Sequence, residues 1–207
     1  MQPLILHHES MLSGNFKRSS VNFLFVFQVN CPGCFLYGIP LVNALYEEFG
    51  NEVSFLGLST AFEDYNYNTS DNTKALISNG ELIGETKKAL KQHGLDSYPN
   101  PLVFPIAMDK KSDDSFNFKE AAEQICQSSS RYQMSSEEEQ IPFLNQVIHY
   151  LKNQPQLSLT FTLNQLRGTP TFIIFNENYD MLYHQFGHVE YQTLQLQLKE
   201  CLTKTKP

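Results

Sequence analysis

Two cysteines separated by two residues lie where the expected local structure changes from strand to helix. The apolar run 21–27 is typical of a buried strand, and the segment 36–49 has apolar residues at helical spacing. Cys31-Pro32-Gly33-Cys34 occupies the turn between them. The unpaired N–H groups and the positive dipole end of a helix start favour a thiolate at the first cysteine. This spacing predicts a dithiol–disulfide pair, in which Cys34 attacks a mixed disulfide formed at Cys31.

The remaining sequence alternates strand-like and helix-like segments, which predicts an α/β domain built on a central sheet. Besides the helix at 36–49, helices are expected from Glu81 to His93 and over 188–203. Gly94 would end the first of these two helices. The expected strands are 21–28, 53–59, 102–108, 171–176 and 181–186.

The segment 111–156 differs from the rest because it is polar, rich in Ser and Glu, and helical in pattern. Ser135 with Glu138, or Ser136 with Glu139, is suited to a capping box at a helix start. Pro142 predicts either a kink or a later start of that helix. No linker-like composition encloses the segment. We therefore expect a single domain over 1–207, with a core of about 20–110 and 160–203 and a helical insertion of about 111–156.

Charge and cysteine usage limit the class of protein. The formal net charge is −7 over 207 residues, which argues against affinity for nucleic acid or anionic membranes. Cys126 and Cys201 stand alone on helix-like stretches and are expected to be ordinary buried thiols. The run 21–27 is shorter than a usual signal-peptide core, and no small-residue cleavage site follows it. The expected location is the cytoplasm.

A second motif lies far downstream. Arg167-Gly168-Thr169-Pro170-Thr171 leads into the apolar segment 172–175, which is followed by a turn, another strand and Gly187. With these pieces in chain order after the cysteine pair, the sequence resembles the thioredoxin superfamily. The resemblance is sharpest to the TlpA/ResA-like branch, which is related to the AhpC/TSA peroxiredoxins, because 85–95 and 104–109 look like its extra helix and strand. It implies a thioredoxin-like fold, a central mixed β-sheet flanked by helices, with the helical insertion before the cis-proline strand.

The same resemblance implies a function. Proteins of this kind are thiol–disulfide oxidoreductases, in which Cys31 and Cys34 would be catalytic and Pro32 and Gly33 would tune the redox poise. A cis peptide bond between Thr169 and Pro170 would place both residues in the substrate-binding groove. The expected partners are a protein disulfide substrate and an upstream reductant or oxidant, and no cofactor is implied.

The sequence departs from the family pattern at three positions. Related reductases often carry a buried acid six residues before the first cysteine, where this chain has Phe25. The aromatic residue that often precedes the motif is Asn30, and the helix proline, Pro40, follows Cys34 by six residues where five are usual. These differences favour a specialised oxidoreductase over a general thioredoxin.

Two other functions remain open from the sequence. One is a peroxiredoxin-like thiol peroxidase. In those proteins a Pro…Thr pattern before the reactive cysteine activates the peroxide, whereas here Gln28 lies three residues before Cys31 and no proline directly precedes it. The other is a non-enzymatic copper- or partner-binding module that uses Cys31, Cys34 and a histidine, either His184 or His188. A zinc site is not expected, since the nearest histidines, His7 and His8, lie in an N-terminus expected to be frayed.

Overall fold

The computed structural model describes residues 3–205 and contains one six-stranded mixed sheet. The strands are β1 (His8–Ser13), β2 (Val21–Phe27), β3 (Ser54–Ser59), β4 (Ile106–Asp109), β5 (Thr171–Asn176) and β6 (Met181–Phe186). They lie side by side in the order β1-β4-β3-β2-β5-β6. The pairs β2–β3 and β3–β4 are parallel, while β1–β4, β2–β5 and β5–β6 are antiparallel. The α/β class with a mixed sheet is confirmed.

Helices cover both faces of this sheet. A π-helical segment, Cys34–Gly38, leads into the first of them. The α-helices are α1 (Ile39–Phe49), α2 (Ser70–Asn79), α3 (Gly84–Gln92), α4 (Phe118–Gln127), α5 (Ser130–Met134), α6 (Glu137–Lys152), α7 (Leu159–Leu163) and α8 (Tyr191–Thr205). Four of them, α4 to α7, lie between β4 and β5, as expected of an insertion before the strand that follows Thr169-Pro170. The division of the chain into one domain with an insertion stays a prediction.

Strand β2 is the centre of the core because its side chains are buried on both faces of the sheet. Phe23, Phe25 and Phe27 point to one face, where they pack with residues of α1, α3 and α8. Leu24 and Val26 point to the other face, where they pack with residues of α7 and β5. This two-sided burial explains the continuous apolar run in the sequence.

Several boundaries differ from those expected. Strand β4 begins at Ile106 and not at 102, because Pro101 and Pro105 interrupt backbone pairing over the intervening residues. Helix α3 begins at Gly84, later than the predicted Glu81. Helices α2 and α7 were not expected at all.

The segment around His7 and His8 was expected to be frayed, and that expectation is wrong. Strand β1 pairs with β4, and the backbone N–H of His7 donates to the Thr160 hydroxyl at 2.9 Å. The first half of β1 is exposed and polar, so it lacks the alternating burial on which a strand prediction depends. Backbone pairing at the sheet edge forms this strand.

The structure also distinguishes the alternatives for the helix near Pro142. Helix α6 begins at Glu137, so a start after Pro142 is excluded. Its capping box uses the second of the two expected pairs: the Ser136 N–H donates to the Glu139 carboxylate at 3.0 Å. Over residues 3–205, no helix has the length and apolar content needed to cross a membrane.

Candidate active site

The two cysteines of the Cys-x-x-Cys motif lie in a tight turn beyond the end of β2. The backbone N–H of Cys34 is 2.9 Å from the Cys31 carbonyl oxygen and 3.3 Å from the Cys31 sulfur. Both thiols are free. The Cys31 side chain is partly exposed, whereas Cys34 is buried. An attacking thiol needs access, so Cys31 is the group that a disulfide can reach.

The two thiols have opposite proton affinities. Hydrogen bonding with Cys34 lowers the pKa of Cys31 to about 7; burial opposes this shift, while Thr169 and the backbone N–H groups of Cys34 and Gly33 contribute to it. Burial raises the pKa of Cys34 well above its ordinary value, and its contact with Cys31 adds to the rise. At pH 7 the accessible sulfur is therefore about half thiolate, whereas the buried one is a thiol.

The downstream motif lies beside the cysteine pair, although Cys31 and Thr169 are 138 positions apart in the sequence. The Thr169–Pro170 peptide bond is cis, and the Cys31 sulfur lies 3.5 Å from the Thr169 carbonyl oxygen. The carbonyl of Pro170 accepts a hydrogen bond from the Gly187 N–H at 2.9 Å, which ties this loop to the end of β6. The structure thus brings together the residues that the sequence singled out.

Gly33 lies where the cysteine turn approaches Tyr37 and Pro170. A Cβ at this position would lie 3.2 Å from the Tyr37 ring and 3.8 Å from the Cδ of Pro170. Pro32 is half-buried beside it in the turn. A Cβ at Gly33 would therefore press on the Tyr37 ring, while its distance from Pro170 is an ordinary van der Waals contact.

Comparison with known proteins identifies solved structures of similar fold. No protein-family model matches the sequence, and no curated protein matches it. Among solved structures, a thioredoxin-like superfamily protein is similar over 100% of both chains, with 20% identity and a TM-score of 0.60. A thiol-disulfide isomerase from Corynebacterium glutamicum shares 21% identity and a TM-score of 0.60, over 99% of this chain and 97% of its own. A thioredoxin-like protein in its oxidized form has 11% identity and a TM-score of 0.51, over 99% and 97%.

The chain has a thioredoxin-like fold. The sequence resemblance is confirmed at the level of the fold, and the expected mixed sheet flanked by helices is present.

Within this thioredoxin-like fold, the shifted proline has a structural explanation. The π-helical segment Cys34–Gly38 runs directly into α1, with the Ile39 N–H donating to the Cys34 carbonyl, and Pro40 lies in the first turn of α1. The carbonyl of Phe35, five residues before Pro40, accepts instead from the Tyr98 hydroxyl at 3.1 Å. A π turn holds more residues than an α turn. The π-helical segment therefore matches the one additional residue between Cys34 and Pro40.

Phe25 fills the position where the family often has a buried acid. Its ring stacks with those of Phe27 and Phe172, at centroid distances of 5.3 and 5.4 Å. The Gly38 backbone packs against it so closely that a Cβ there would lie 2.9 Å from the ring. A carboxylate would have no polar partner in this aromatic environment, so the buried acid of the family has no counterpart at this position.

Gln28, which the sequence brought forward only for the peroxidase alternative, also belongs to this site. Its side chain is buried, its Oε1 accepts from the Thr169 hydroxyl at 3.2 Å, and its Nε2 donates to the Glu63 carbonyl at 3.5 Å. A backbone hydrogen bond from Gln28 to Cys34 partly offsets the rise in the pKa of Cys34. Gln28 therefore joins the cysteine turn to the Thr169 loop. This role weighs against the peroxidase alternative, in which a threonine at this position would activate the peroxide.

Asn30, which stands where the family often has an aromatic residue, is a buried junction between three segments. Its backbone N–H donates to the Asn68 side chain at 3.0 Å, and its side chain contacts Asp64 and the N–H of Glu85. Only a polar residue directly before Cys31 marks this junction in the sequence. The partners lie too far along the chain to be assigned from a pattern.

A buried acid does occur at the same edge of the sheet, at Asp109. Its carboxylate accepts from the Thr60 hydroxyl at 2.8 Å and from the N–H groups of Thr160 and Phe161 at 2.9 and 3.0 Å. Burial raises the pKa of Asp109 to about 6, against the effect of these hydrogen bonds. Asp109 joins the end of β4 to the start of α7 and is a structural group.

The histidines proposed for copper binding do not assemble with the cysteines. Over the chain from residue 3 to 205, no group of three or more His, Cys, Asp or Glu side chains is placed to hold a metal ion. His188 instead packs edge-on against the Tyr37 ring, with centroids 5.1 Å apart, and His184 is exposed on β6. The geometry gives the copper hypothesis no support.

Proposed function

We propose that this protein is a thiol–disulfide oxidoreductase with Cys31 as nucleophile and Cys34 as resolving thiol. The Cys31 thiolate attacks one sulfur of a substrate disulfide, forming a mixed disulfide and releasing the other substrate sulfur as a thiolate, which takes up a proton. Cys34 then loses its proton and attacks Cys31, which releases the second substrate thiol. The protein leaves as the Cys31–Cys34 disulfide, so two electrons pass to the substrate. The reverse sequence oxidises a dithiol.

One observation carries this proposal: an accessible thiol with a pKa of about 7 lies directly against a buried thiol with a raised pKa. The optimum attacking thiol has a pKa near the ambient pH. The raised pKa of Cys34 keeps the second thiol protonated until the mixed disulfide has formed. This difference orders the two steps.

The cis Thr169–Pro170 bond supports a role for these residues in binding substrate beside Cys31. We further propose that Pro32 and Gly33 influence the reduction potential through the geometry of the turn. The substrate would be a protein disulfide, the opposite partner a cellular reductant or oxidant, and the working location the cytoplasm.

A trapping experiment tests the proposal. Reduced Cys34→Ser protein should form a stable mixed disulfide with disulfide-bonded insulin, because the resolving thiol is absent. Cys31→Ser should form none and should lose insulin reduction, and Cys126→Ser should behave as the wild type does. Undiminished insulin reduction by Cys31→Ser would contradict the proposal.

A further inference from the structure

A cleft of about 580 Å³ lies between α6, α7 and the loop after β3. This volume falls in the range of sites that bind small molecules or short peptide segments. None of its lining residues is charged. The apolar and aromatic part of the lining includes Phe62, Tyr65, Val147, Tyr150, Phe161 and Leu166.

The floor of the cleft is rigid and aromatic. The rings of Phe62 and Phe161 stack in parallel, with their centroids 4.0 Å apart. The Tyr65 hydroxyl donates a hydrogen bond to the Phe62 carbonyl at 2.8 Å, and this bond holds the Tyr65 ring in place. The outer edge is open, because Tyr150 on α6 is 60% exposed. An apolar group that enters the cleft would displace water from this aromatic surface.

The Phe62 side of the cleft is joined to the cysteine turn by a hydrogen bond. Phe62 and Tyr65 belong to the loop after β3, and Glu63 between them accepts a hydrogen bond from Gln28 through its carbonyl. The Gln28 side chain follows Leu24 and Val26 onto the sheet face that packs against Phe161. Gln28 therefore lies between the cleft and the redox pair.

The opposite wall leads to the cis-proline loop. Leu166 lines the cleft, and Thr169, whose carbonyl lies 3.5 Å from the Cys31 sulfur, is three residues further along the chain. Three extended residues span at most about 10 Å, at roughly 3.3–3.6 Å per residue. A polypeptide attached to Cys31 through its own cysteine could reach the cleft within about three to five residues.

We propose that this cleft binds an extended, uncharged, apolar segment of the disulfide-bearing substrate, a few residues from the reacting cysteine. The inference rests on the proposed thiol–disulfide exchange and adds a substrate class to it. The uncharged lining gives no compensation for a buried charge, so a charged segment would be rejected. Aromatic side chains supply the binding surface, and side-chain amides such as those of Gln146 and Gln154 are suited to the peptide backbone of the segment.

Two synthetic peptides test the proposal, each carrying one cysteine in a mixed disulfide with thionitrobenzoate. In the apolar peptide, a Leu-Phe-Val segment begins three residues from the cysteine; in the control peptide, Ser-Gly-Ser replaces that segment. With reduced wild-type protein, we expect the apolar peptide to release thionitrobenzoate at least tenfold faster than the control peptide. The small disulfide 5,5′-dithiobis(2-nitrobenzoate) measures the reactivity of Cys31 without the cleft.

Substitutions in and near the cleft test whether it causes the faster reaction with the apolar peptide. Tyr150→Arg places a charge at the open edge of the cleft and should reduce the rate ratio of the two peptides to about one, and Val147→Arg provides a second variant inside it. Ile141→Arg is the matched control, since Ile141 is 62% exposed on the same helix and does not line the cleft. Ile141→Arg should keep the wild-type ratio, and all three variants should keep the wild-type rate with the small disulfide. Equal rates for both peptides with the wild type, or an unchanged ratio in Tyr150→Arg, would overturn the inference.

A binding measurement that involves no disulfide exchange separates this inference from the proposed function. A fluorescein-labelled apolar peptide with alanine in place of its cysteine should bind wild-type protein in fluorescence anisotropy and bind Tyr150→Arg at least tenfold more weakly. If Cys31 failed to react with any disulfide while this difference in binding persisted, thiol exchange would be rejected and the cleft retained as a peptide site. Equal anisotropy for both proteins would reject the cleft.

Discussion

The side-chain amide of Asn30 donates a hydrogen bond to the carboxylate of Asp64 over 2.8 Å, across 34 positions of sequence. The Oδ1 atom of the same side chain accepts from the backbone N–H of Glu85 at 2.7 Å, across 55 positions. Asn30 directly precedes Cys31. The reactive thiol is therefore held in place by two distant segments, and changes in those segments should act on it.

A substitution at Gly84 should disturb this junction. Gly84 has a φ of +48°, and a Cβ there would lie 2.1 Å from the Asn30 Oδ1. We expect Gly84→Ala to lower the free energy of unfolding by about 2 kcal/mol or more, because it breaks a buried hydrogen bond and strains the backbone. Urea unfolding measures this effect, and iodoacetamide labelling should show a changed rate at Cys31.

Gly94 is the matched control for that experiment. Its φ is +78°, and nothing lies within 4 Å of a Cβ placed there. Gly94→Ala should therefore cost only about 1 kcal/mol of backbone strain and leave the labelling of Cys31 unchanged. Equal losses of stability in the two variants would show that the contact with Asn30 has no role.

The reactivity of Cys31 should depend on pH through its hydrogen bond with Cys34. Only the thiolate reacts, so the iodoacetamide rate should rise with pH and reach half its maximum near pH 7, the pKa of Cys31. Hydrogen bonding with Cys34 is the largest cause of the lowered pKa, so Cys34→Ala should move the midpoint upward. Mass spectrometry of the labelled peptide gives the rate at each pH. A midpoint that stays in place in Cys34→Ala would contradict this origin of the shift.

Asp109 should make the fold less stable as the pH rises. Burial raises the pKa of Asp109 from 3.8 to about 6, so the folded protein holds this proton more tightly than the unfolded chain does. The unfolded chain loses the proton first, and stability from this group falls between about pH 4 and pH 7, by on the order of 3 kcal/mol.

The variant Asp109→Asn isolates that contribution because it does not titrate. The difference in free energy of unfolding between wild type and variant, measured in urea at pH 4 and pH 7, should shift against the wild type at the higher pH. If the difference is the same at both pH values, Asp109 has an ordinary pKa in the fold.

Much of the fold was predictable because its elements have local signals. Strand β2 has a continuous apolar run, β3 and β5 are short and apolar, and each lies within a residue or two of its expected bounds. Helix α2 was missed since it follows a polar loop and buries only Thr73 and Leu76 fully. Strand β1 was missed because an edge strand depends on its neighbour's backbone more than on its own side chains.

The sequence by itself determined the central strands, the cysteine pair in the turn after β2 and the second motif before β5, because each depends on the order of nearby residues. Only the tertiary structure decided what surrounds Cys31. Gln28 meets Thr169 across 141 positions, Asn30 meets Asp64 and Glu85, and the insertion closes a cleft against the loop after β3. Such contacts form between residues that are remote along the chain, and their partners are set by how the helices and strands pack, which no local pattern specifies.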